Sequence, residues 1–145
     1  MSTSVNREQA EAAVQTLLEY IEGAPISGTD REGLAKTPER VINSYDELFS
    51  GYGNDAVEVL DSTFNSEGYD GIVLLRDIEF HSTCEHHLLP FNGRAHVAYI
   101  PTEKIVGISK LARLVDMHAR RLQNQERITK GVADDLEGHL SPLGS

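Results

Sequence analysis

The sequence predicts an α+β domain in which helices come first, an antiparallel strand pair follows, and two further helices complete the chain. Three observations predict it. Ala10, Ala13, Val14, Leu17, Leu18 and Ile21 recur at helical spacing. Between Arg94 and Ile100 the pattern alternates, with Ala95, Val97 and Tyr99 on one face and His96, Ala98 and Ile100 on the other. Late in the chain Ile128, Val132, Leu136 and Leu140 return to helical spacing, four positions apart.

Taken in order, the first helix starts after Asn6, with Gln9 three positions on to complete a capping box. Gly23 and Pro25 end it. Residues 25–36 carry Gly28, Gly33 and several charges and read as a loop or broken turn. A second helix restarts at Thr37-Pro38, with Thr as N-cap and Pro at the first helical position. Val41, Ile42, Tyr45, Leu48 and Phe49 form its buried face, and Gly51 closes it. Residues 53–70 are a polar connector holding at most a short helix. Ile72–Phe80 and Arg94–Ile100 read as strands, joined by a loop over Ser82–Pro90. Pro101 and Gly107 punctuate the exit. A helix over Ser109–Leu122 turns Leu111, Leu114, Val115 and Leu122 inward, and a last helix spans Gln125–Leu140. Residues 1–65 form an N-terminal helical region and residues 66–145 the part that carries chemistry, within a single domain overall.

At 145 residues, with 39% hydrophobic and 25% charged, the chain suits one ordinary globular domain and is too apolar for wholesale disorder. Its 13 basic and 23 acidic residues give a net charge of -10, which excludes a general binder of nucleic acid or anionic membrane. One cysteine excludes an internal disulfide framework and suits a reducing, cytoplasmic compartment. No apolar run approaches the ~20 residues of a membrane span, and the start has no signal-peptide core. The charge is uneven. Residues 104–130 hold seven basic and two acidic side chains, a local +5 on an acidic protein. Such a segment suits a small anionic ligand such as a phosphate ester, or else forms a solvated helix face.

The chemistry-bearing cluster is Cys84-Glu85-His86-His87. Cys84 and His87 are three apart, so one turn of backbone can present sulfur and nitrogen to a single tetrahedral ion. Thiolate with imidazole favours zinc over magnesium or calcium. A catalytic zinc usually has three protein ligands and a water whose pKa it lowers towards ~7. His86, beside the ligands, is suited to proton transfer near neutral pH. The plainer alternative is a buried cysteine with nearby histidines bonded to backbone, because a single Cys-x-x-His is half a site.

The run Phe80-His81-Ser82-Thr83-Cys84-Glu85-His86-His87-Leu88-Leu89-Pro90-Phe91 closely resembles the zinc-loop signature of the GTP cyclohydrolase I family. Gly107-Ile108-Ser109-Lys110-Leu111-Ala112-Arg113 and Arg120-Arg121-Leu122-Gln123-Asn124-Gln125-Glu126-Arg127 resemble it too, as do the stretches Gly33–Val41 and Glu47–Gly51. The motifs run in colinear order from about Gly33 to the end. The resemblance implies a tunnelling fold and a reaction in which GTP and water give 7,8-dihydroneopterin triphosphate and formate, at the entry to tetrahydrofolate and related pterins. It implies Cys84 and His87 as zinc ligands and His86 as the acid near the imidazole ring. Gln125 and Glu126 fall at the guanine, where a carboxylate offers two acceptors to two parallel donors. Ser109, Lys110 and Arg113 fall at the triphosphate, inside the +5 segment. Read without the family, Gln125 is an exposed helix start and Arg113 a surface salt bridge. Lys36 and Arg40 read as helix-start or surface residues, and His81, His96, His118 and His139 as structural or surface histidines.

Members of that family continue past the last helix into two further strands, the first carrying a His-x-Cys element whose cysteine is the third zinc ligand. This sequence ends at Ser145 and holds no second cysteine. The expectation is a C-terminally truncated member without the last two strands of the family sheet, with no third zinc ligand identifiable in the chain. The family commonly assembles as a decamer with active sites between subunits, so a homo-oligomer is implied. The alternative to an enzyme is an inactive member acting as an interaction or regulatory subunit, or a fragment needing complementation.

Overall fold

A computed structural model describes residues 5–26 and 31–145. The chain divides into two compact units, residues 1–47 and 48–145.

In the first unit, α1 (Arg7–Glu22) opens on the expected capping box. Asn6 Oδ1 accepts from Gln9 N at 2.9 Å, and Gln9 Oε1 accepts from Asn6 N at 2.9 Å. Gly23 stops the helix in the left-handed region, at φ 69°, where a residue without Cβ is unstrained. The apolar stripe is less buried than its spacing suggests. Ala10, Val14 and Leu18 are half-buried, whereas Ala13, Leu17 and Ile21 are exposed. Two helices in a unit this small enclose too little volume to shut water out. Part of the loop expected over residues 25–36 lies outside the described residues, and its later part carries a 3₁₀ turn, Glu32–Leu34. In α2 (Thr37–Leu48), Thr37 is the first helical residue rather than the cap, and its Oγ1 donates to Gly33 O at 3.3 Å. Of the expected buried face, Val41, Ile42 and Tyr45 are half-buried and Leu48 is exposed. Arg7 joins the two helices, donating to Asp46 Oδ2 at 3.2 Å and to Asn43 Oδ1.

The second unit holds the core. The expected connector contains α3 (Ala56–Leu60) and also β1 (Thr63–Asn65), a strand that no local pattern announced. β1 pairs antiparallel with β4 (Lys104–Val106), Thr63 opposite Val106. The main sheet has the order β3-β2-β5. β2 (Val73–Cys84) and β3 (Pro90–Tyr99) are antiparallel, and β5 (Leu122–Gln123) lies parallel to β2, with Cys84 opposite Gln123. α4 (Ile108–Ala119) and α5 (Gln125–Leu140) complete the unit, and Tyr99, Leu111, Leu114, Val115 and Leu136 are among its largest fully buried side chains. Tyr99 is tolerable there because its hydroxyl accepts from Val106 N at 3.0 Å.

Three boundaries differ from the sequence reading, each for a local reason. β2 runs four residues past Phe80 to Cys84, because Ser82 is buried and its Oγ donates to Ala119 O at 2.6 Å. β3 begins at Pro90, which an edge strand accepts because its missing N–H faces no partner. α4 stops at Ala119 rather than Leu122, since Leu122 and Gln123 leave the helix to pair with Thr83 and Cys84. Inside β2 the register shifts between Leu75 and Ile78, with Asp77 at φ 59° and its N–H donating to His96 Nδ1 at 3.2 Å. The extra residue changes the inward parity from Val73 and Leu75 to Ile78, Phe80 and Ser82. Cys84 falls on that second parity, so the bulge decides which face receives the thiol.

Candidate active site

The turn after β2 is closed by two backbone hydrogen bonds. Cys84 N donates to Leu89 O at 2.8 Å, and Leu88 N donates to Cys84 O at 2.9 Å with Leu88 at φ 57°. The chain therefore doubles back within six residues and gathers Cys84, His86 and His87 in one corner. Cys84 Sγ lies 3.7 Å from His87 Nδ1 and 3.8 Å from His86 Nδ1. The thiol is half-buried and both imidazoles are exposed.

A tetrahedral zinc with Zn–S of about 2.3 Å and Zn–N of about 2.0–2.1 Å separates its sulfur and nitrogen by about 3.6 Å. The Cys84–His87 spacing fits that edge, so this pair suits two corners of the tetrahedron. Among the described residues no group of three or more His, Cys, Asp or Glu side chains has metal-holding geometry.

Glu85, the carboxylate inside the turn, faces the start of α5. It accepts from Arg127 Nη1, from Arg127 Nη2 at 3.1 Å and from Asn124 Nδ2 at 3.1 Å. The hydrogen bonds from the Arg127 guanidinium hold the Glu85 carboxyl below its ordinary range, and the same hydrogen bonds, with the Glu85 charge, raise Arg127 in turn. Asn124 is also the N-cap of α5, its Oδ1 accepting from Arg127 N at 2.8 Å. Gln125 and Glu126 are the first two residues of that helix and both are exposed.

Ser109, Lys110 and Arg113 lie on the first turns of α4. Gly107 caps this helix without a side chain, which leaves a positive helix end for an anion. Lys110 Nζ sits 3.2 Å from Asp61 Oδ1, and the hydrogen bond from Lys110 holds the Asp61 carboxyl below its ordinary range. Among the described residues, none of these three shares a hydrogen bond or ion pair with Cys84, His86 or His87. Ser82 pins the far end of α4 through Ala119, and Ser109 lies ten residues upstream, about 15 Å along the helix. One chain thus brings Cys84, His86 and His87 together, joins them through Glu85 to the turn bearing Gln125 and Glu126, and holds Ser109, Lys110 and Arg113 apart. A groove of about 430 Å³ between β3 and α5 reaches Gln125 and Thr129, but Cys84, His86 and His87 do not line it.

Sequence reasoning assigned no role to Glu85, Asn124, Arg127 or Asp61. Asn124 was within reach as the residue preceding a helix start. The other three are paired over 42 and 49 positions, a distance that only folding spans.

Fold and site define a class first: an α+β domain that gathers a thiol and two imidazoles in one tight turn and carries basic side chains on the first turns of a helix. The GTP cyclohydrolase I family profile matches residues 10–145, and the chain belongs to that family. Its α+β architecture is that of the family's tunnelling fold. Among curated relatives, the GTP cyclohydrolase 1 of Rickettsia prowazekii (strain Madrid E) is 52% identical over 139 residues, covering 95% of this chain and 71% of the relative. Proteins of the same name from Rickettsia akari (strain Hartford) and Rickettsia typhi (strain ATCC VR-144 / Wilmington) are 52% and 51% identical over 139 residues, with the same coverage of each chain. No helix among the described residues is long and apolar enough to cross a membrane.

Proposed function

We propose that this chain hydrolyses GTP to 7,8-dihydroneopterin triphosphate and formate, the first step toward tetrahydrofolate and related pterins. The observation that carries the reading is the Cys84–His87 corner, whose 3.7 Å spacing suits a thiolate and an imidazole sharing one zinc ion. Cys84 and His87 would hold the ion, which when bound supplies a Lewis acid and lowers the pKa of water towards ~7. Every other task falls to side chains of the protein.

Glu126 recognises guanine, its two carboxylate oxygens accepting from the ring N–H and the exocyclic amino group. Gln125 beside it donates and accepts at the same edge. His86, 3.8 Å from the thiol, delivers a proton to the opening imidazole ring, a task that an imidazole can perform as general acid. Ser109, Lys110 and Arg113 bind the triphosphate at the uncapped start of α4, where Lys110 exchanges Asp61 for phosphate. Ser109 stands about 15 Å along α4 from the Ala119 end that Ser82 holds, and this favours a site shared by copies of the chain, one supplying the corner and α5, its neighbour supplying α4. A homo-oligomer follows, and a single unpaired cysteine suits its work in a reducing compartment.

Glu126→Ala tests the assignment of the base. Losing two charge-assisted hydrogen bonds should weaken GTP binding by about 100-fold and abolish preference over ATP, while metal content stays constant. Unchanged GTP affinity in isothermal titration would remove Glu126 from the guanine site.

A further inference from the structure

We infer that Glu85 is a positioning residue that sets the span between the metal-donor corner and the first turn of α5. The inference rests on the reading above, in which Cys84 and His87 hold the metal and Glu126 receives the guanine.

Glu85 stands between Cys84 and His86, and both its backbone and its side chain engage residues 123–127. Its N–H donates to Gln123 O at 3.0 Å. Its carboxylate takes both terminal nitrogens of Arg127 and the amide of Asn124. A planar guanidinium fork against a carboxylate fixes direction as well as distance. Asn124 serves two purposes at once, capping α5 through Oδ1 and reaching Glu85 through Nδ2. The corner and the helix that begins Gln125-Glu126 are thereby locked together across a turn and a two-residue strand. The Glu85 side chain is 25% exposed against 55% for Arg127, so the carboxylate is the sheltered end of the pair.

The consequence is catalytic without any contact to substrate. With guanine held by Glu126 and phosphates held on α4, the ring to be opened must meet His86 and the metal corner at one distance. Loosening Glu85 leaves the nucleotide bound but misplaces the reacting carbon, and a displacement of about 1 Å costs on the order of 100-fold in rate. An ordinary exposed ion pair, by contrast, contributes little and its loss moves nothing.

Four proteins separate these: the full chain, Glu85→Gln, Arg127→Lys and the reversed pair Glu85→Arg with Arg127→Glu. The first readout needs no turnover. Co2+ is bound, its thiolate charge-transfer band recorded, and paramagnetic relaxation of the Gln125–Ile128 amides measured. Glu85→Gln and Arg127→Lys should keep the band and change that relaxation by about twofold or more, since relaxation falls as the sixth power of distance. The second readout is GTP turnover. Both variants should lose about 10- to 100-fold in kcat with KM within about threefold, and the reversed pair should recover much of the loss. Unaltered amide relaxation together with unaltered kcat overturns the proposal. Loss of the cobalt band with a collapse in Tm also overturns it, since Glu85 would then only hold the turn together. A full chain that binds Co2+ yet releases no formate defeats the functional reading instead, and the amide relaxation still decides the role of Glu85.

Discussion

Replacing Gly51 with alanine places a methyl group where the backbone of α4 already stands. A Cβ at this position would lie 2.1 Å from Met117 O and 2.7 Å from Arg120 O, both inside the 3.0 Å that such atoms essentially never breach. Neither neighbour is a side chain that can swing away. Gly51 is also drawn to that spot, since its N–H donates to Arg120 O at 3.0 Å and its carbonyl accepts from Arg121 Nε at 3.1 Å. Relief requires the 3₁₀ turn Ser50–Gly53 to retreat by about 1 Å from the C-terminal end of α4. Overpacking costs about 1–3 kcal/mol and a loosened hydrogen bond about 1 kcal/mol, so about 3 kcal/mol is the expected loss. For a domain of this size that lowers Tm by about 10 °C. Scanning calorimetry on Gly51→Ala and on Gly53→Ala, whose added methyl meets nothing within 4 Å, gives the perturbation and its control. A Gly51→Ala Tm within about 2 °C of the parent would refute the argument that close backbone approach selects glycine here.

Two further outcomes follow from the same geometry. A Cβ at Gly131 would stand 2.5 Å from the ring of His118, which is buried and paired with Asp135 Oδ2 at 2.7 Å. Gly131→Ala should therefore cost about 2 kcal/mol in urea unfolding, and markedly less in a His118→Ala background, where the ring is gone. Equal costs in both backgrounds would mean that the ring is not the obstacle. Asp61 should titrate below 3.8 in a carbon-detected NMR experiment, because the Lys110 hydrogen bond favours its charged form. Since the folded pKa is lowered, the stabilisation it reports is present above about pH 3.8 and disappears as pH falls through the folded value. Lys110→Ala should move the midpoint upward, and so should a bound triphosphate that takes Lys110 from it.

Elements with strong local chemistry were legible from residues alone. Asn6 and Gln9 form the capping box their spacing promised, and α5 spans Gln125–Leu140 as its period of four required. Elements that exist only through distant partners were not. Thr63–Asn65 is a strand because Lys104–Val106 lies beside it, and Leu122 continues the apolar period of α4 although Thr83 and Cys84 draw it into a sheet. Asp77 hid its bulge by being an ordinary polar residue in a strand whose parity it inverts. At the site, Cys84, His86 and His87 are close in sequence and close in space, so the corner was visible. The tie from Glu85 to Arg127 spans 42 positions and carries no signal in composition or period.

The measurement that bears most directly on the account is formate release from GTP by the full chain in the presence of Zn2+, with the pterin product followed in the same samples. The account predicts equal amounts of formate and 7,8-dihydroneopterin triphosphate, dependent on zinc and lost with Cys84→Ser. Folded, zinc-treated protein that releases no formate, or a Cys84→Ser variant that releases as much as the parent, would contradict it.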